Sequence, residues 1–195
     1  MPQVSLSEMA SALASTPTLV SFPTDTVPAL AAAPAQATLI FEAKRRPPEK
    51  PLILMGAAFE DLAPYIQGDA ETMESWQAIA QQHWPGQLTL VLPTSPLTPP
   101  NLNPLNTGTL GIRVPNHPLA LELLAQTGPL ATTSANLSGQ PPLTTAPEIA
   151  STFPAALTLP SNCYQSTPSS GQPSTVAKWI APGWEILRQG KIHLQ

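Results

Sequence analysis

One cysteine, Cys163, occurs in 195 residues, which excludes an intramolecular disulfide and a cysteine-rich zinc site. The three histidines, His83, His117 and His193, are too widely spaced to suggest metal ligation, so no bound metal is expected. Charge is equally sparse. Asp, Glu, Lys and Arg make up 10 % of the chain, against about a quarter in ordinary domains. Eight Lys plus Arg and a formal net charge of −4 leave too few cations for a broad nucleic-acid-binding face. No apolar run approaches membrane-spanning length, and no charged-then-apolar leader precedes the first helix-like stretch. A soluble, cytoplasmic protein with no membrane partner is therefore expected. Several chemical signatures are missing too. There is no Gly-Lys-Ser/Thr phosphate loop, no GxGxxG after the first strand, no GxSxG elbow and no plausible carboxylate pair.

Proline is what the chain has in excess. Twenty-six prolines rule out an architecture of long helices and imply rigid turns and extended connections. The length suits one domain, residues 1–195, with a full core. Ser5–Ser15 reads as a short amphipathic helix and Thr18–Phe22 as a strand ending at Pro23, followed by the loop Pro23-Thr24-Asp25-Thr26. Ala35–Arg45 reads as a helix that stops at Pro47-Pro48. Further helices are expected at Phe59–Ile66, Glu71–Trp84, His117–Gln126 and Ala146–Phe153. Strands are expected at Leu52–Met55, Gln87–Leu92, Leu110–Val114, Leu130–Thr133, Ser174–Ile180 and Trp184–Arg188. Ser161–Pro173 is polar and is the expected mobile segment. Strands alternate with helices without a repeat, and some connections are too short for crossovers. That pattern predicts an α/β domain on a mixed sheet.

Charge placement points to a site. Four of the eight cations (Lys44, Arg45, Arg46, Lys50) fall in one seven-residue window. Cations at a helix C-terminus are ordinary dipole partners, but that does not account for Lys50 beyond the double proline. Arg113 and Arg188 each sit in or at the end of an apolar strand, where a solvent-facing arginine is the ordinary alternative. Ser134, Asn136 and Ser138 form a loop of neutral donors before Gly139, and Thr24 and Thr26 flank Asp25. Each group reads equally well as a simple turn. Together they gather cations and hydroxyls at strand ends, where open α/β sheets bind ligands. Cations and neutral donors without an acid–base pair suit phosphoryl or nucleotidyl transfer, driven by positioning and charge stabilisation.

These pieces also follow a recognisable order: SFPTDTV, FEAKRRPPEKPLIL, WPGQLTLVLP, LGIRVPNHP, TTSANLSGQPPLTT, QPSTVAKW and ILRQG. The chain closely resembles the YrdC-like family from about Val20 to Gly190, with its paired signatures Lys-x-Arg (Lys44, Arg46) and Ser-x-Asn (Ser134, Asn136). That family includes the threonylcarbamoyl-AMP synthases of tRNA modification. The resemblance implies a twisted mixed sheet flanked by helices around a concave electropositive cleft. It implies a nucleotidyltransferase that joins L-threonine, bicarbonate or CO2, and ATP into threonylcarbamoyl-adenylate, releasing pyrophosphate, with Mg²⁺ accompanying ATP. A separate threonylcarbamoyl transferase complex would take the product to tRNA, and direct tRNA contact would be weak. By motif position, Thr26, Arg113, Ser134 and Ser174 would hold threonine. Arg46, Lys50, Thr109, Asn136, Thr144 and Arg188 would hold ATP or the adenylate, with Lys44 and Arg46 as the catalytic cations. The family's first motif usually continues Val-Tyr-Gly-Leu where this chain has Val27-Pro28-Ala29-Leu30, and Met55 stands where some members have histidine. A changed loop shape beside the threonine site is expected. The alternative is a divergent paralogue that binds RNA or nucleotide without robust synthase activity.

Overall fold

The computed structural model describes residues 3–165 and 169–194. Nine strands form one mixed sheet: β1 (Leu19–Phe22), β2 (Ala29–Ala32), β3 (Ile53–Met55), β4 (Leu88–Pro93), β5 (Thr109–Arg113), β6 (Leu130–Ser134), β7 (Ala156–Thr158), β8 (Thr175–Ile180) and β9 (Gly183–Arg188). Their order across the sheet is β7-β1-β2-β6-β3-β5-β4-β8-β9. Three pairs are parallel, β1 with β7, β3 with β5 and β4 with β8, and the others are antiparallel. Among the described residues six α-helices accompany them: α1 (Leu6–Ser15), α2 (Thr38–Lys44), α3 (Phe59–Leu62), α4 (Ala70–His83), α5 (Pro118–Thr127) and α6 (Ala146–Thr152). Among the described residues, no helix is long and apolar enough to cross a membrane.

The period-two alternation of the strands separates two cores. Leu30, Leu54, Leu90, Ile112 and Ala131 face one side, packed with Ile40 of α2, Leu62 of α3, Trp76 of α4 and Ile149 of α6. Their neighbours Ala29, Ala31, Met55 and Leu130 face the other side, under Met9 and Leu13 of α1 and Ala120, Leu123 and Leu124 of α5. Local chemistry sets the helix ends. Ser5 and Glu8 form a reciprocal capping box on α1, Asp69 caps α4, and Pro118 opens α5. Helix α2 ends with Arg45 in the left-handed region at φ 49, while Arg46 N–H donates to Phe41 O and Arg45 N–H to Glu42 O. This Schellman-type reversal turns the chain so that Lys44 points into the protein and Arg46 leaves along the cleft.

Strands β2 and β7 are absent from the sequence reading. β2 is a run of Ala and Leu inside Pro28–Pro34, which has helical propensity, and pairing on both sides by β1 and β6 overrides it. β7 is only three residues long and reads as the tail of a helix-to-loop stretch. Of Ser161–Pro173, Ser161–Tyr164 forms a 3₁₀ turn. Residues 166–168 lie outside the described residues.

On the first core face, Trp76 is fully buried and meets the ring of Trp179 edge-on at 6.0 Å, and Trp179 in turn meets Trp184 at 5.1 Å. The indoles thus fasten α4 to the β8–β9 hairpin. Trp76→Ala should destabilise the protein by about 3–5 kcal/mol, read as a lowered midpoint in urea denaturation.

Candidate nucleotide and amino-acid cleft

On the α1/α5 face of the sheet the strands leave a cleft of about 310 Å³. Its floor is the outward face of β2, β6, β3 and β5, with Ala29, Thr132, Ser134, Ile53, Met55 and Arg113. Arg46 and Lys50 come in from the loop after α2, and Pro173, Ser174 and Arg188 from the β8–β9 side. Four cations line it, and no described lining residue is acidic. Of the residues singled out above, Thr26, Arg46, Lys50, Arg113, Ser134, Ser174 and Arg188 meet here.

Arg113 is almost wholly buried at the end of β5, with 3 % of its surface exposed. Its Nη2 donates to Asp25 Oδ1 at 2.7 Å, its Nη1 to Thr26 Oγ1 at 2.9 Å and its Nε to Gly86 O at 3.0 Å. Burial still depresses the guanidinium pKa, an effect that Asp25 opposes. Three of the five N–H groups are used, so one hydrogen on each terminal nitrogen has no partner among the described residues. Those two hydrogens suit a carboxylate. On the far side of the cleft, Arg46 donates to the carbonyls of Lys50 and Pro51 at 2.7 and 3.0 Å, which curls its loop inward. Arg188 donates to Ser174 O at 3.0 Å and Ser174 Oγ at 3.3 Å.

Four expected ligand contacts have other placements. Lys44 lies beneath the cleft, 1 % exposed, and its Nζ donates to Ser134 O and to Asn136 Oδ1. Asn136 Oδ1 also accepts from Ser134 Oγ at 2.5 Å, while Nδ2 gives its two hydrogens to the carbonyls of Leu137 and Gln140. That amide has no donor left for a ligand, so Lys44 and Asn136 brace the Ser-x-Asn loop from behind. The spacing of Lys44 from Ile40 and Ala37, one face of α2, is the sequence signal that it points inward. Thr109 starts β5, four residues or roughly 13 Å from Arg113, and lies outside the cleft lining. Thr144 lies over the rim, in a separate depression with Leu137 and Gln140.

Other residues escaped the sequence reading. Thr132 and Thr133 line the cleft, and hydroxyls within the apolar strand Leu130–Ser134 were the available sign. Asp25 appears above only as part of a turn, yet it is the buried counter-ion of Arg113. The loop after Thr26 absorbs the Pro28-Ala29 change by extending. Ala29 is a β2 residue paired with Ser134, Pro28 O accepts from Ala135 N–H at 2.8 Å, and neither residue is in the left-handed region.

The Sua5/YciO/YrdC family model, described as telomere recombination, matches residues 14–190. The chain belongs to this family. The threonylcarbamoyl-AMP synthase of Klebsiella pneumoniae is 42 % identical over 142 residues, covering 69 % of this chain and 72 % of that protein. Pyrococcus abyssi Sua5 in complex with L-threonine superposes with a TM-score of 0.80 at 31 % identity, across 96 % of this chain and 55 % of that one. The chain therefore spans little more than half of that Sua5. Escherichia coli YciO shares the fold, with a TM-score of 0.76 at 21 % identity, across 97 % and 93 % of the two chains.

Burial, aided by the charge of Arg46, pushes the Lys44 ammonium down from 10.5 to about 7. Between those values the unfolded chain holds a proton that the folded chain lacks, so stability from this group rises as pH rises. Lys44→Met should remove that slope. Urea midpoints of both proteins at about pH 7 and about pH 9.5 should show the wild type gaining on the variant at the higher pH.

Proposed function

We propose that this protein is an L-threonylcarbamoyl-adenylate synthase, a nucleotidyltransferase that uses L-threonine, bicarbonate or CO2, and ATP. The observation that carries the reading is the cleft itself. Among the described residues it has a buried arginine with two unused N–H groups, three further cations in its lining and no lining carboxylate. In this reading Arg113 and Thr26 hold the amino acid, with Ser134 and Ser174 beside it. Arg46, Lys50 and Arg188 face the phosphates. The carbamate oxygen of N-carboxythreonine attacks the α-phosphorus of ATP. The bond to the bridging oxygen breaks, and pyrophosphate leaves with the electron pair. The charge gathering on pyrophosphate is stabilised by fixed cations that need no reorganisation.

Mg²⁺ enters this reading with ATP, as part of the substrate. The described residues contain no cluster of three or more His, Cys, Asp or Glu able to hold a metal. The protein's own contribution is positioning and positive charge. The product would pass to a threonylcarbamoyl transferase complex acting on tRNA, with weak direct tRNA contact at most. A paralogue that binds RNA or nucleotide without synthase activity is the less favoured reading, because the curated relatives carry the synthase name at about 40 % identity.

The test combines purified protein with ATP, Mg²⁺, bicarbonate and labelled L-threonine, and scores pyrophosphate and threonylcarbamoyl-adenylate. Formation of both should require threonine. Arg46→Ala should lower turnover roughly a hundredfold or more. Lys50→Ala should lower it about tenfold, and it keeps the Lys50 backbone carbonyl to which Arg46 donates. Full activity in Arg46→Ala would remove the basic loop from the mechanism. Pyrophosphate release independent of threonine would remove threonine from the substrate list.

A further inference from the structure

The hydroxyl hydrogens of the Pro-Thr-Asp-Thr turn can be assigned one by one, and their directions bear on which chemical group the cleft accepts. Thr24 Oγ1 lies 2.7 Å from Val27 O. A carbonyl can only accept, so the single hydroxyl hydrogen of Thr24 is committed there. Thr24 Oγ1 also receives Thr26 N–H at 3.1 Å and lies 3.0 Å from Thr26 Oγ1. With the Thr24 hydrogen spent, the hydrogen between the two hydroxyls belongs to Thr26 and points back at Thr24. On its other side Thr26 Oγ1 receives Arg113 Nη1–H at 2.9 Å, which also repels a hydrogen placed there. What remains of the Thr26 hydroxyl toward the cleft is a lone pair. Both threonines are almost wholly buried, at 1 % and 2 % exposure, so bulk water does not scramble the arrangement.

We infer that Thr24 is a positioning residue that makes Thr26 an obligatory hydrogen-bond acceptor beside the donors of Arg113. The cleft thereby selects ligands with an N–H donor on the carbon that bears their carboxylate. The inference rests on the synthase reading for the identity of the ligand, but not for the polarity of the site. Acceptor and donor stand one hydrogen bond apart, which matches the adjacent amine and carboxylate of an α-amino acid. Ser134 has the same polarity, since its hydrogen is spent on Asn136 Oδ1, an oxygen whose identity is fixed by the two carbonyls that face Nδ2. A 2-oxo acid places a carbonyl oxygen against the Thr26 lone pair and is refused. Asp25, Val27 and Arg113 surround the turn without supplying Thr26 a second acceptor.

The test is calorimetric binding of L-2-aminobutanoate and 2-oxobutanoate, which share a carbon skeleton and carry a donor and an acceptor at the α-carbon, to wild type, Thr24→Val and Thr24→Ser. The change in preference between variants is the readout, because the charge difference of the pair is the same for all three. L-threonine and ATP serve as parallel ligands. Valine keeps the shape of Thr24 but frees the Thr26 hydrogen to turn into the cleft, whereas serine keeps the acceptor. The preference for the amino acid should fall about tenfold or more in Thr24→Val, as expected when a buried acceptor loses its pairing, and return in Thr24→Ser, with ATP binding unchanged. An unchanged preference in folded Thr24→Val, or a serine variant that behaves like valine, would overturn the inference. If Thr24→Val does not fold, or the probes do not bind, the wild-type Thr26 hydroxyl proton decides by nuclear magnetic resonance. A slowly exchanging proton with cross-peaks to Thr24 supports the inference, and one oriented to the cleft overturns it. Failure of L-threonine alone to bind would count against the synthase reading and leave the polarity result standing.

Discussion

The buried guanidinium of Arg113 organises this molecule's cleft. A charge 3 % exposed is tolerated only when it is paired and hydrogen-bonded. Its partners come from separate parts of the chain: Asp25 and Thr26 from the turn after β1, and the carbonyl of Gly86 from the approach to β4. Strand β5 sits between β3 and β4 in the sheet, so one side chain joins the sheet's middle to the turn that leads into β2. The same turn accepts Ser170 N–H on Asp25 O and Gly171 N–H on Thr26 O, at 3.0 and 3.1 Å. Those bonds carry Pro173 and Ser174 to the cleft wall. Replacing Asp25 would strand the charge, and breaking pairs of this kind typically costs several kcal/mol.

A second buried basic group works from the opposite side. Lys44 crosses from the end of α2 to the Ser-x-Asn loop, where it and Ser134 occupy Asn136 Oδ1. The two paired signatures thus meet in space, but partly as a brace. The cations left facing the cavity are Arg46, Lys50, Arg113 and Arg188. An acidic chain with few charges has concentrated half of its Lys and Arg on this wall. The result is a local field for phosphates and carboxylates without a generally basic surface.

The elements with strong local signals were legible in the sequence. Caps and prolines bounded α1, α4 and α5, and apolar runs marked β4, β5, β6 and β8 to within one residue or so at each end. β2 was hidden because its alanines favour a helix locally, and only pairing with two neighbouring strands makes it extended. In the site, residue types pointed to the right loops but not to directions. The spacing of Lys44 from Ile40 signals that it points inward, but its closure on the Ser-x-Asn loop is a tertiary contact with no local sequence signal. Asn136 could not be told from a ligand contact until all four of its hydrogen-bonding positions were counted. Thr109 and Thr144 stand close in sequence to cleft residues but are carried away by strand rise and by the course of the chain after Pro142.

The central claim is that Arg113, locked by Asp25 and Thr26, receives the carboxylate of an α-amino acid at the floor of a cationic cleft. A crystal structure of the protein grown with L-threonine tests it most directly. The account predicts the carboxylate within hydrogen-bond distance of Arg113 and the amine on Thr26 Oγ1, with the Arg113–Asp25 pair intact. Threonine bound elsewhere, or an Arg113 that leaves Asp25 to reach it, would contradict the account.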